Sequence, residues 1–390
     1  MFINTSFYIM EVLVLLTLLL FVDPSVLNSK IRLFYKENKI LTFSAVLLLI
    51  SSVVFNINEF KSPYYISFYL AYLFNFGIYF FMFPLFIMNN KEYFYKFLNF
   101  VSIFSLIFCF CGLFFLFLGI STEVRFDGKV TSIMIHPNFV PSVALVGLFS
   151  TLVLIHICDK SQLNKKLLYI FSFFIQFLAL AFSFTRDGMI AFVVGIAIFY
   201  FITFRKAFLY SLPVSIALVP LMVIEFIKFK GFNSFVSRFF LLIPAYYLMI
   251  SDKTRLLWGY GASNSTEMYV KYKVLYNVLE DVNSPHNSYI SFILMYGLLF
   301  TAMFSLFVVI LLFKGFKYAW RITDHDSKIV VAAFVSICVA YLVINLFESH
   351  LAMAHLTMMH PFLIFLGLLF FTLRDKSFLD FVRNRKETLR

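Results

Sequence analysis

The chain has 390 residues, 62% of them apolar and only 13% charged, with a mean hydropathy of +0.91. No soluble domain needs so much apolar surface to fill its core, so the composition excludes a soluble enzyme or carrier and leaves an all-α, polytopic integral membrane protein. The formal net charge of +12 is carried mostly by short loops, where it reports topology and gives little support to a nucleic-acid partner.

Crossing the hydrocarbon layer takes about 17 to 25 apolar residues. In chain order such runs lie near residues 6–22, 40–56, 64–88, 97–120, 138–157, 167–184, 188–204 and 207–227, so spans 1 to 8 fill residues 1–227. The first run has no basic leader and no small-residue cleavage site, and reads as a retained span. A large loop follows at 228–287, then three more runs near 288–313, 329–347 and 352–373, and a basic tail at 374–390. The total is about eleven spans. Inside the loop, Phe239 to Ile250 is apolar but too short to cross; it predicts a helix lying on or dipping into the membrane interface, or the floor of an outward-facing cavity. The 57 Phe are read as core and lipid-facing material. Cys109, Cys111, Cys158 and Cys338 lie within or at the ends of apolar runs, without His at zinc-binding spacing, so neither a disulfide nor a metal is assigned.

Lysine and arginine crowd one set of short loops, from Lys30 to Lys39, Lys91 and Lys96, Lys160 to Lys166, Arg205 and Lys206, and Lys314 to Lys328. The tail adds Arg374, Lys376, Arg383, Arg385, Lys386 and Arg390. The opposite short loops hold only Lys61, Arg125, Lys129 and Arg186. This contrast places the tail in the cytoplasm and, with eleven spans, the N-terminus and the 228–287 loop outside.

Four outer segments carry polar chemistry, each with two readings. Arg125-Phe126-Asp127-Gly128-Lys129, leading to His136-Pro137-Asn138, is either an ordinary capped helix start or a cationic binding loop. Ser183-Phe184-Thr185-Arg186-Asp187-Gly188 sits between two apolar runs with almost no loop. Arg186 either pairs locally with Asp187, Gly188 relieving the backbone, or meets an anionic ligand; a guanidinium held at a membrane face, with neighbouring side chains diverging, favours the ligand. Ser237-Arg238, followed by Trp258-Gly259-Tyr260-Gly261, is a snorkelling arginine with a Trp anchor or a second anion contact. Ser284-Pro285-His286-Asn287-Ser288-Tyr289 is a helix cap or a site for His286 to take a proton near neutral pH. Glu11, Asn75, Gln176, Glu225 and Asn345 read as interhelical glue. Glu348, His350, His355 and His360 cluster near the last outer turn, but their spacing fits no familiar zinc motif.

In this order the segments resemble the bacterial O-antigen polymerase and O-antigen ligase superfamily. The matching positions are Pro137-Asn138, Ser183 to Gly188 as a Ser-x-x-Arg-like motif, Arg238 through the Gly-x-Gly turn at Gly261, and His-Asn-x-Tyr at His286 to Tyr289, running on to Gly297. They cover roughly Arg125 to Leu299, and Asp187 beside the arginine departs from the family pattern. The resemblance implies an inverting, metal-independent glycosyltransferase without cofactor in the bacterial inner membrane, its site facing the periplasm and the 228–287 loop periplasmic. Its donor would be an undecaprenyl-pyrophosphate-linked oligosaccharide. Arg186 and Arg238 would hold the diphosphate, with Arg125 or Lys129 assisting. His286 would be the base, Asn287 and Tyr289 would bind substrate and orient the imidazole ring or the glycan, and Asn138 would bind substrate. A polymerase is the first expectation, with a chain-length regulator as partner. A ligase passing glycan to lipid A-core, or a flippase for the same lipid, are the alternatives.

The charge asymmetry predicts that a fluorescent reporter fused after Arg390 is bright and that alkaline phosphatase inserted after Lys271 is active. The converse pattern would invert the topology.

Overall fold

The structure is a computed structural model and describes residues 76–89, 91–119, 130, 139–159, 161–206, 208–209, 239–278, 283–348, 356–374, 378–380 and 382; all regular structure among them is helical. A π-helical stretch, Phe76–Met82, runs into α1 (Phe83–Asn89). There follow α2 (Lys91–Phe117), α3 (Val140–Ile157), α4 (Leu163–Phe182) and α5 (Arg186–Thr203). Then come α6 (Leu242–Ser251), α7 (Lys253–Trp258), α8 (Ala262–Leu275), α9 (Ser288–Arg321), α10 (His325–Ile344) and α11 (Leu356–Thr372). Six of these, α2, α3, α4, α5, α9 and α10, are long and apolar enough to cross a bilayer. The protein is a multi-pass, largely helical membrane protein.

The expected runs at 97–120, 138–157, 167–184, 188–204, 288–313 and 329–347 correspond to these six helices. Those at 6–22, 40–56, most of 207–227 and the first part of 64–88 lie outside the described residues. Several helices outrun their apolar stretch: α2 begins at Lys91, α4 at Leu163 and α10 at His325, and α9 continues to Arg321. Lysine and arginine are good helix formers whose stems can lie along apolar surface while the charge reaches water, so the helix need not stop where hydropathy falls.

The chain divides into two compact units. One contains the described parts of Ile87–Ala217, Leu311–Ile344 and Pro361–Arg390. Within it α3, and α10 from Ile329 onward, are buried nearly all round, as their predominantly apolar sequences require. By contrast, α2 exposes Phe100, Ile103, Phe104, Ile107, Phe110 and Phe114, a continuous stripe at three- and four-residue spacing. Such a stripe is tenable against acyl chains and not against water.

Interhelical attraction in lipid relies on packing and hydrogen bonds. Gln176 on α4 donates from Nε2 to the Ser102 carbonyl at 3.0 Å and to Ser172 Oγ at 3.1 Å, while its Oε1 accepts from Thr151 Oγ1 at 3.2 Å. The hydroxyls of Ser102 and Thr151 meet at 2.6 Å, so α2, α3 and α4 share one buried network. Gln176 is therefore the interhelical glue expected of it. Tyr341 on α10 donates to the Ser142 carbonyl of α3 at 2.6 Å.

The other unit contains the described parts of Met1–Phe86, Leu218–Ile310 and Asn345–His360. Here the short apolar segment expected at 239–250 is helical, as α6, and packs on α8 through Ala245, Leu248, Tyr260, Tyr269 and Leu294. Tyr269 donates to the Leu241 carbonyl and Tyr260 to that of Leu248, both at 2.9 Å. Burial pushes both phenols above the ordinary tyrosine range, so they remain donors at neutral pH. Asp252 caps α7, its Oδ1 accepting from the N–H groups of Thr254 at 2.9 Å and Arg255 at 3.0 Å.

This module is fastened to a break in α9. Gly297 has φ 84° and ψ 164°, which interrupts the helical ladder. The Leu294 and Met295 carbonyls, which would otherwise serve the N–H groups of the next turn, accept instead from Tyr260 N–H at 2.7 Å and Gly261 N–H at 3.0 Å. Gly259, at φ 85°, lies against the break. A Cβ there would collide with the Met295 carbonyl oxygen, and one on Gly297 with the carbonyl oxygen of Leu257. The Gly-x-Gly turn is thus a backbone clamp that admits no side chain at its contact point.

Gly297→Ala adds both a clash against backbone and a positive-φ penalty; backbone strain alone is worth about 1–3 kcal/mol. We expect a clear fall in the unfolding temperature of the purified protein. An unchanged melting curve would show that the clamp is not needed.

Candidate functional site

The segment before α9 shows why His-Asn-Ser-Tyr occurs there. Asn287 is the N-cap: its carbonyl accepts the first helical bond, from Ser291 N–H at 2.9 Å, and its Oδ1 accepts from Ile290 N–H at 3.0 Å. Its Nδ2 donates to the Leu346 carbonyl at 2.9 Å. Ser288 completes the strap. Its N–H faces the carbonyls of Asn345 and Glu348 at 3.0 and 3.1 Å, and its Oγ donates to Asn345 Oδ1 at 2.5 Å and lies 3.0 Å from the Glu348 carbonyl. The turn at residues 345–348 is therefore stapled to the first turn of α9. Both ends of the Asn287 amide are used within the fold, as the helix-cap reading anticipated, and Tyr289 lies half-buried on the same turn.

That staple brings a carboxylate to the histidine. Glu348 Oε2 lies 3.1 Å from Nδ1 of His286; the glutamate side chain is 5% exposed and the imidazole 23%. A carboxylate at Nδ1 favours the tautomer with the proton on that nitrogen, which leaves the Nε2 lone pair as acceptor. His286 also has φ 48°, a left-handed conformation uncommon outside glycine and asparagine. Strain of this kind persists where surrounding contacts over-determine the backbone, here the flanking cap and strap. Glu348 stands 62 positions from its partner, so no local spacing announces the pair. The signal available in sequence was a lone acid beside Asn345 between two apolar runs.

Arg186 belongs to the other unit. The turn leading to it is tight: Phe184 has φ 51°, Ser183 Oγ donates to the Leu180 carbonyl at 2.6 Å and meets Thr185 Oγ1 at 2.8 Å. Val130 N–H donates to the Phe182 carbonyl at 3.0 Å. Arg186 is the first residue of α5, and Thr185 supplies no side-chain cap. Its Nε and Nη2 are shielded from the surface, and Asp187 is buried. The guanidinium stands at the positive end of an 18-residue helix, with the buried Asp187 carboxylate in the same turn. Gly188 has a different purpose from backbone relief: it lies in the helix, and a Cβ there would stand 2.6 Å from Cγ of Pro141 on α3. Its smallness lets the two helices meet.

The structure thus gathers His286, Asn287 and Tyr289, with Glu348, in one unit and places Arg186 at a helix start in the other. Arg125, Lys129, Asn138 and Arg238 lie outside the described residues, as do His350 and His355. No family model matches the chain, and no curated protein matches it.

Ser288→Ala would leave Asn345 Oδ1, in a buried setting, without its hydroxyl donor, at a cost of about 1–3 kcal/mol. Urea or thermal unfolding in detergent measures this, and no loss of stability would mean the strap is redundant.

Proposed function

We propose that the chain is an O-antigen (surface-polysaccharide) polymerase of the bacterial inner membrane, an inverting, metal-independent glycosyltransferase working on undecaprenyl-pyrophosphate-linked repeat units at the periplasmic face. The observation that carries this is the His286–Glu348 pair, which holds an imidazole with Nε2 available as a base. Nε2 takes the proton from the acceptor sugar hydroxyl as that oxygen attacks the donor anomeric carbon. The bond from that carbon to the diphosphate breaks, its electron pair leaves with the diphosphate, and the configuration inverts. Glu348 stabilises the imidazolium that forms. Such general-base assistance contributes about 100- to 10,000-fold.

Charge grows on the departing diphosphate, and planar guanidinium groups match phosphate oxygens bidentately. Arg186, at the N-terminus of α5, is assigned to that charge, with Arg238 and then Arg125 or Lys129 assisting. Tyr289 and Asn138 are assigned to the glycan, and Asn287, the N-cap of α9, fixes the turn that carries the histidine. A chain-length regulator is the partner expected of such a polymerase.

The test supplies the purified full-length chain with lipid-linked repeat unit in the presence of a chelator and reads glycan length. Elongation is expected. His286→Ala should slow it by about 100- to 10,000-fold. Arg186→Ala should cost about 2.7–4 kcal/mol of barrier, the loss typical of one oxyanion contact. Glu348→Gln, which removes the charge and keeps the shape, should lower the rate with little change in acceptor KM. Lipid flipping without elongation, or wild-type rates in all three variants, would overturn the proposal. Glycan delivered whole to a lipid A-core acceptor would make the chain a ligase.

A further inference from the structure

The module formed by α6, α7 and α8 has an apolar face that its own core does not use. On α6 and the turn before it, Phe239, Phe240, Tyr246 and Ile250 are exposed, and at the end of α8 Val274 and Leu275 are each 68% exposed. The two elements are joined along this face by Tyr247 and Tyr276, whose rings stack at 4.2 Å between centroids. In water such a patch would be an aggregation liability.

Its height relative to the bilayer follows from α9. The apolar stretch of α9 ends at Lys314, and the roughly 20 residues needed at 1.5 Å each to cross a hydrocarbon layer about 30 Å thick reach back from there to about Gly297. The break at Gly297 therefore falls at the boundary of that layer. The first residues beyond it, Leu298 and Leu299, are already exposed in the manner of a lipid-facing surface. Tyr260 and Gly261 bond to the backbone of Leu294 and Met295, and Leu257 touches Gly297. The module is consequently fixed at headgroup level, next to the turn of α9 that exposes Leu298 and Leu299. Tyrosines are suited to that level, each with an apolar ring and a polar tip. Lys271 lies one turn before Val274 and Leu275 on the same side of α8, and Lys253 and Arg255 follow α6 directly.

We infer that α6 and the last turn of α8 form a membrane-seated platform, its aromatic and aliphatic face inserted at the boundary of headgroups and acyl chains and its lysines paired with anionic phospholipid. Interfacial helices of this type combine buried apolar area with attraction to anionic headgroups.

The experiment uses the full-length chain, one copy per nanodisc, in phosphatidylcholine with or without phosphatidylglycerol. A fluorophore is placed on Tyr246→Cys, Leu275→Cys or Thr266→Cys in a background with the four native cysteines changed to alanine; Thr266 lies on the opposite side of α8 from Leu275. Brominated lipid should quench the probes at 246 and 275 several-fold more than that at 266, with aqueous iodide showing the reverse order. Lys271→Gln with Lys273→Gln should reduce the gain in lipid quenching on adding phosphatidylglycerol. In parallel, photoactivatable phosphatidylglycerol applied to the unaltered chain should label peptides spanning 239–250 and 274–276. Equal iodide access at all three positions with no photolabel there would overturn the platform. Protection appearing only in discs that hold two chains would assign the face to a second copy instead.

Discussion

A backbone or side-chain polar group shielded from water, by lipid or by packing, must find its partner inside the protein. The most informative features of this chain are answers to that constraint. Gln176 uses both ends of its amide to tie α2, α3 and α4 together. Where α9 breaks, the N–H groups of Tyr260 and Gly261 take up carbonyls of the interrupted ladder. Where α9 begins, Asn287 and Ser288 satisfy the helix start while fastening it to the turn after α10.

The candidate site is a by-product of the last of these. Strapping residues 345–348 to the helix start carries Glu348 to His286 and fixes the imidazole on a rigid element. Sites supported in this way are better preorganised than side chains on loops. The strained backbone of His286 fits the same picture, since the cap and strap that flank it hold a conformation the residue does not favour alone. Arg186 is placed by a comparable device, a tight turn with Phe184 at positive φ and a helix that begins at the arginine itself.

How much of this was legible in the sequence depended on the range of the interaction. The membrane helices were readable because bilayer thickness sets the length of an apolar run, which is a local property; α3 and α5 match their expected bounds within two residues. Helix ends were less so, since Lys91, Lys165 and Arg321 continue a helix beyond the apolar run. The short helix α6 was visible as an apolar run too brief to cross. His286 and Asn287 stood out as a polar pair before a span, but Glu348 did not disclose its role, because the staple that joins them is made across long sequence separation. Gly188 looked like a turn residue and proved to be a packing contact with Pro141, which only the arrangement of α3 and α5 could reveal.

The glycine clamp has a consequence for how this chain can change over time. A Cβ at Gly259 would run into the Met295 backbone and one at Gly297 into the backbone of Leu257 and Trp258, so no side-chain change elsewhere can make room for either. A mutational walk through either position meets a barrier with no neutral first step. The pair therefore ties the loop module to its helix in heredity as well as in space: the two segments can diverge freely around that point, but not through it.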